Sequence, residues 1–130
     1  MKPYIKIIGG ALVAVPLLLS APAEASARER GVASWYGPRH HGKPMANGQP
    51  YNQWALTAAH RTLPLGTEIR VRNLDNGFIV VVTVTDRGPY TRGRILDVSR
   101  AAAHRLDMIE TGVARVEITP IRRPERRPKR

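Results

Sequence analysis

The chain has 130 residues, with 21 Lys and Arg against 10 Asp and Glu, a formal charge of +11, 11 Gly, 11 Pro and no Cys. That length has room for one small domain. The lack of Cys excludes a disulfide-stapled fold and a lipid-modified cysteine behind a leader.

Lys2 and Lys6 precede an apolar run from Ile7 to Leu19, and Ala23-Glu24-Ala25 and Ala25-Ser26-Ala27 fit a small-x-small cleavage pattern. Residues 1–27 therefore read as a cleaved signal peptide, with an uncleaved anchor as the runner-up. The apolar run falls short of the roughly 20 residues of a membrane-spanning helix. The expectation is an exported, soluble protein of the periplasm or cell envelope, with no stable membrane anchor after cleavage. Residues 28–30 read as a linker, 31–120 as the domain and 121–130 as a basic, disordered tail. Arg122 to Arg130 carries six basic residues against Glu125. Such a tail suits anionic envelope polymers, or no dedicated partner at all, and export argues against nucleic acid.

Within the domain, Gly31 to Gly37 alternates small and large residues and predicts a first strand. Pro38 to Tyr51 has no period and reads as a long surface loop, which in a compact domain is usually functional or disordered. Ala55 to His60 predicts a short strand, and Leu63-Pro64-Leu65-Gly66 a turn. Thr67 to Asn73 alternates polar and apolar, placing Ile69 and Val71 inward. Asp75-Asn76-Gly77 supplies a hairpin turn. The β-branched run from Phe78 to Thr85 predicts a central strand that ends at Asp86-Arg87-Gly88-Pro89. Arg94 to Val98 is a further strand. Ser99 is an N-cap for a helix through Ala101-Ala102-Ala103 and Leu106, with Gly112 able to end it. Val113 to Ile118 is the last strand, with Ala114, Val116 and Ile118 on one face and Pro120 as its stop. Six short strands and one short helix predict a mainly β protein, a small closed barrel.

Asp86 is thus presented at the rim of a rigid element, either as a functional carboxylate or as a cap on its own turn. Several ordered motifs bear on the choice: Gly31-Val32-Ala33-Ser34-Trp35-Tyr36-Gly37; Ala46-Asn47-Gly48; Thr57-Ala58-Ala59-His60-Arg61-Thr62-Leu63-Pro64-Leu65-Gly66; Asp86-Arg87-Gly88-Pro89; and Ile95-Leu96-Asp97-Val98-Ser99-Arg100 followed by three alanines. Together they resemble the rare-lipoprotein-A (RlpA-like) septal-ring lytic transglycosylases, which are also similar to expansins. The resemblance implies a six-stranded double-psi β-barrel. It implies peptidoglycan glycan strands as substrate and cleavage between N-acetylmuramic acid and N-acetylglucosamine with a 1,6-anhydro product. One carboxylate can serve as acid and then base in such a reaction.

The resemblance assigns that role to Asp86 and makes His60 and Asp97 further catalytic candidates. Ser34, Trp35, Tyr36, Asn47, Gln49 and Arg87 become substrate-binding candidates. Each has a structural alternative: a hydrogen bond for His60, a helix-start charge for Asp97 and core packing for Trp35 and Tyr36. Arg87 would hold Asp86 ionised if it faced it, and is expected to point elsewhere. Two positions depart from the family pattern: Met45 stands where threonine is usual, and Gln49 where glutamate is usual. Glutamine transfers no proton, so a second carboxylate is missing there. The alternative is therefore a non-catalytic, expansin-like glycan binder. His40, His41, His60 and His104 fit no standard metal spacing, and no metal or other cofactor is expected.

Overall fold

The computed structural model describes residues 28–124. The signal-peptide reading and residues 125–130 of the basic tail lie outside the described residues. The elements are β1 (Glu29–Trp35), a single 3-10 turn (Pro38–His40), β2 (Thr57–Ala59), β3 (Glu68–Asn73), β4 (Ile79–Asp86), β5 (Arg94–Val98), α1 (Arg100–Arg105) and β6 (Val113–Arg122). The strands close into a barrel in the order β1-β5-β2-β4-β3-β6. Two pairs, β1–β5 and β2–β4, are parallel, and the other four are antiparallel. The expected mainly β, six-stranded barrel with one short helix is present.

Alternation sets the core. Ile69 and Val71 of β3, Ala114, Val116 and Ile118 of β6 and Val80, Val82 and Val84 of β4 all point inward and are buried. Each buried Val or Ile contributes about 1.5–3 kcal/mol. The β-branched run of β4 is nevertheless one-sided, because Ile79 and Val81 face solvent between those inward valines.

Three boundaries differ from expectation. The first strand starts at Glu29, so Glu29 and Arg30 are strand rather than linker, paired with Ile118 and Glu117 of β6. The last strand runs past Pro120 to Arg122 and takes the first two residues of the expected tail into the sheet. Pro120 sits opposite Ile69, where the β3 register shifts next to Glu68. At such an irregularity the missing proline N–H costs no regular ladder bond. The helix keeps its Ser99 cap, whose side chain accepts from Ala102 N–H, but ends after one and a half turns. The Met108 N–H reaches Ala103 C=O and the Asp107 N–H reaches His104 C=O, a Schellman stop with Asp107 at φ 52. Aspartate occupies the seat that glycine usually takes, so Gly112 is not the terminator.

The expected loop 38–51 is ordered. Pro44 bridges Pro50, and Met45 C=O accepts from Gly48 N–H to close a turn. Within the barrel wall, Gly31 lets β1 lie close on β5. A Cβ on Gly31 would sit 2.7 Å from Ile95 Cγ2. The β1–β5 register shifts just beyond it, and then aligns Ser34 with Asp97.

Candidate active site

Asp86 is the last residue of β4, and its two oxygens do different work. Oδ1 accepts the Ala46 N–H at 2.8 Å and the Arg87 N–H at 2.9 Å. Oδ2 accepts the Tyr36 hydroxyl at 2.8 Å. The turn-cap reading therefore holds for Oδ1, while Oδ2 faces a side chain from the opposite part of the barrel. Two backbone donors fix the plane of the carboxyl group. Oδ2 keeps a lone pair on which a proton can be carried.

Asp97 is the second carboxylate at this place. Ala59 of β2 is the register partner of both Asp86 and Asp97. The strands flanking β2 thus carry the two carboxylates level with each other, their backbones about two strand spacings, or roughly 10 Å, apart. The Ser34 hydroxyl donates to Asp97 Oδ1.

Tyr36 follows β1 and lies half-buried. Its ring centroid is 4.6 Å from that of Tyr51 and 5.4 Å from that of His40. Burial, the bond to Asp86 and the charges of Asp86 and Asp97 push its hydroxyl far above the ordinary tyrosine value. The phenol therefore remains a hydrogen-bond donor. Its ring faces packing neighbours, and its hydroxyl is the part turned to Asp86. Trp35 is partly buried and packs against the core, which is the structural alternative set out above.

The His60 ring is not turned to Asp86. Its Nδ1 accepts the Thr62 and Leu63 N–H groups at 3.1 Å each, which leaves the ring hydrogen on Nε2, 2.8 Å from Glu29 Oε1. The link to Asp86 runs through the backbone, from His60 N–H to Asp86 C=O at 3.1 Å. Arg87 points away from Asp86, as expected. Its Nη1 donates to the carbonyls of His60 and Leu63 at 3.1 and 2.7 Å, clamping the same corner.

The 45–49 turn is stapled to this corner by Ala46 and by Asn47 N–H on Thr85 C=O. Asn47 Oδ1 accepts from Gln49 N–H at 3.0 Å, so its side chain shapes the turn. Met45 Sδ accepts the Thr85 hydroxyl at 3.3 Å. Gln49 is exposed, and only its main chain is bonded among the described residues.

Three participants are absent from the sequence reading. Tyr51 is buried under Tyr36, and its hydroxyl accepts from Arg100 N–H at 3.1 Å. Ala46 contributes a peptide N–H, which residue type does not signal. Glu29 stands in what reads as a linker. Among the described residues no group of three or more His, Cys, Asp or Glu is placed to hold a metal. No helix among them is long and apolar enough to cross a membrane.

Residues 28–118 match the lytic transglycolase family. The chain belongs to that family. It is 46% identical over 123 residues to a Synechocystis protein named "Probable endolytic peptidoglycan transglycosylase RlpA", covering 87% of this chain and 38% of that protein. It is 54% identical over 91 residues to the endolytic peptidoglycan transglycosylase RlpA of Campylobacter jejuni, covering 70% and 33%. The match thus spans 38% and 33% of the length of these family members. A Clavibacter michiganensis expansin, solved as a point mutant in complex with cellohexaose, matches with a TM-score of 0.58 at 19% identity. That match covers 77% of this chain and 53% of the expansin and carries the barrel fold.

Proposed function

We propose that this protein is exported to the cell envelope and cuts peptidoglycan glycan strands as a lytic transglycosylase. Asp86 carries the chemistry in this reading, and the observation behind it is the division of labour between its oxygens. Oδ1 is held by two backbone amides, and Oδ2 is left to exchange a proton beside the Tyr36 hydroxyl. Protonated Asp86 gives its hydrogen to the glycosidic oxygen as the bond from muramic C1 to that oxygen breaks. The carboxylate then takes the hydrogen of the muramic 6-hydroxyl as that oxygen closes on C1, giving the 1,6-anhydro sugar without water. Asp97, held by Ser34, supplies negative charge beside the cationic sugar of the transition state. His60 is a positioning residue: its ring orders the 60–63 turn, and its N–H holds the Asp86 main chain.

The test is digestion of purified sacculi, read as anhydro-muropeptides. The protein should release them, and Asp86→Asn should lower the rate about 100- to 10,000-fold, the usual weight of a general acid. Release of no product by the unsubstituted protein overturns the reading.

A second reading, a glycan binder of expansin type that does not cut, draws on Gln49. It predicts sedimentation with sacculi and no anhydro product. The basic tail from Arg123 onward adds attraction to anionic envelope polymers in either reading, which salt should weaken.

A further inference from the structure

Trp54 is 64% exposed, on the short loop between Tyr51 and β2. Its neighbours fix that loop firmly. The Trp54 N–H donates to Asn52 Oδ1 at 3.0 Å, the Gln53 N–H to His41 Nδ1 at 3.2 Å, and Gln53 C=O accepts from Ala101 N–H at 2.9 Å. The ring is thus presented to solvent by a braced segment. It is also tied to the site by an unbroken path of contacts. Asp86 is hydrogen-bonded to Tyr36, Tyr36 packs at a tilt against Tyr51, and the Tyr51 hydroxyl accepts from Arg100 N–H. The Arg100 guanidinium carbon lies 5.6 Å from the centroid of the Trp54 ring.

The Arg100 guanidinium thus lies over the ring, and the ring is still largely open to solvent. An exposed aromatic ring with a guanidinium close to it is a surface that a pyranose ring fits. Its C–H face packs on the π-system while a hydroxyl or acetamido oxygen accepts from a guanidinium N–H.

We propose that Trp54, with Arg100, forms a remote saccharide platform of the Asp86 cleft. It takes the ring of a β-linked N-acetylated amino sugar some units away from the bond that is cut. The proposal rests on the glycan reading above and adds a specificity element to it. Long strands reach the platform and short ones do not.

The experiment is a fluorescence and calorimetric titration of the protein with N-acetylglucosamine dimer and hexamer, run beside the sacculus digestion. The hexamer should bind more tightly than the dimer and change tryptophan emission. Trp54→Ala should remove about fivefold to tenfold of hexamer affinity, the range of an aromatic contact, and leave dimer binding unchanged. Trp54→Phe should keep most of the affinity but lose the emission change, because the remaining Trp35 packs against the core. Trp54 is exposed, so thermal melts of both variants should match the parent and exclude unfolding as the cause. Equal hexamer affinity in Trp54→Ala and parent overturns the platform. Absence of hexamer binding by the parent also overturns it, and continued release of anhydro-muropeptides then shows that the cleavage reading stands without it.

Discussion

The Tyr36 hydroxyl donates to Asp86 Oδ2 at 2.8 Å, across 50 residues of sequence. In the proposed reaction it is the side-chain donor on the oxygen that gains and loses a proton. Tyr36→Phe keeps the ring on Tyr51 and removes only that donor. A hydrogen bond to a charged group contributes about 1.5–3 kcal/mol. If that bond is strongest while Asp86 is ionised, kcat/KM for glycan cleavage should fall about 10- to 100-fold with KM little changed. An equal loss in KM alone would make Tyr36 a binding residue.

The same hydroxyl makes stability depend on pH at the alkaline end. Its pKa is raised in the folded state above the ordinary value near 10, first by burial and then by the bond and charge of Asp86. The folded state therefore holds the proton where the unfolded chain has released it. That contribution is complete below about pH 10 and is lost as pH rises above it. Tyr51 is shifted the same way by burial and adds to the effect. Thermal melts from pH 8 to 11 should show the midpoint declining above pH 10. Tyr36→Phe should decline less steeply.

His60 separates positioning from proton transfer. His60→Ala leaves two amide N–H groups without their acceptor in a buried corner, which should cost about 1–3 kcal/mol each and lower activity with stability. In His60→Asn an amide oxygen stands at the same remove from the backbone as Nδ1. That variant should keep activity within about tenfold, although asparagine transfers no proton. Loss of activity in a stably folded His60→Asn would assign the ring to the chemistry.

Gln49→Glu restores the carboxylate usual at that position. The side chain is exposed and makes no hydrogen bond among the described residues, so the melt should move by less than about 0.5 kcal/mol equivalent. The rate of anhydro-muropeptide release should rise several-fold if the 45–49 turn lies over the substrate. An unchanged rate would show that Asp86 works without a partner there.

The barrel was legible because alternation of small apolar residues is a local signal. Ile69 and Val71, the Ser99 cap and Arg94–Val98 lie where their sequence pattern puts them. The helix end was not legible, since aspartate at φ 52 is tolerated only through two backbone bonds that close over it. Asp86 stood out by its place at a strand end. Its pairing with distant groups did not: one of these is a peptide N–H in a loop without periodicity, and another a phenol 50 residues earlier. Glu29 was hidden for a related reason, because the strand that carries it extends two residues beyond its apolar pattern, held by pairing with β6.

Gly31 shows how far the site reaches into the barrel wall. It touches no reacting group. A Cβ there would sit 2.7 Å from Ile95 Cγ2, so that buried side chain or the β1–β5 packing must shift. Three residues on, that same pair of strands sets Ser34 against Asp97, and the next turn of chain carries Tyr36 to Asp86. Both carboxylates thus take their hydroxyl partners from this one strand and the residue just past it. A screen for lost function should therefore pick out Gly31, a position with no side chain, beside the proposed site residues.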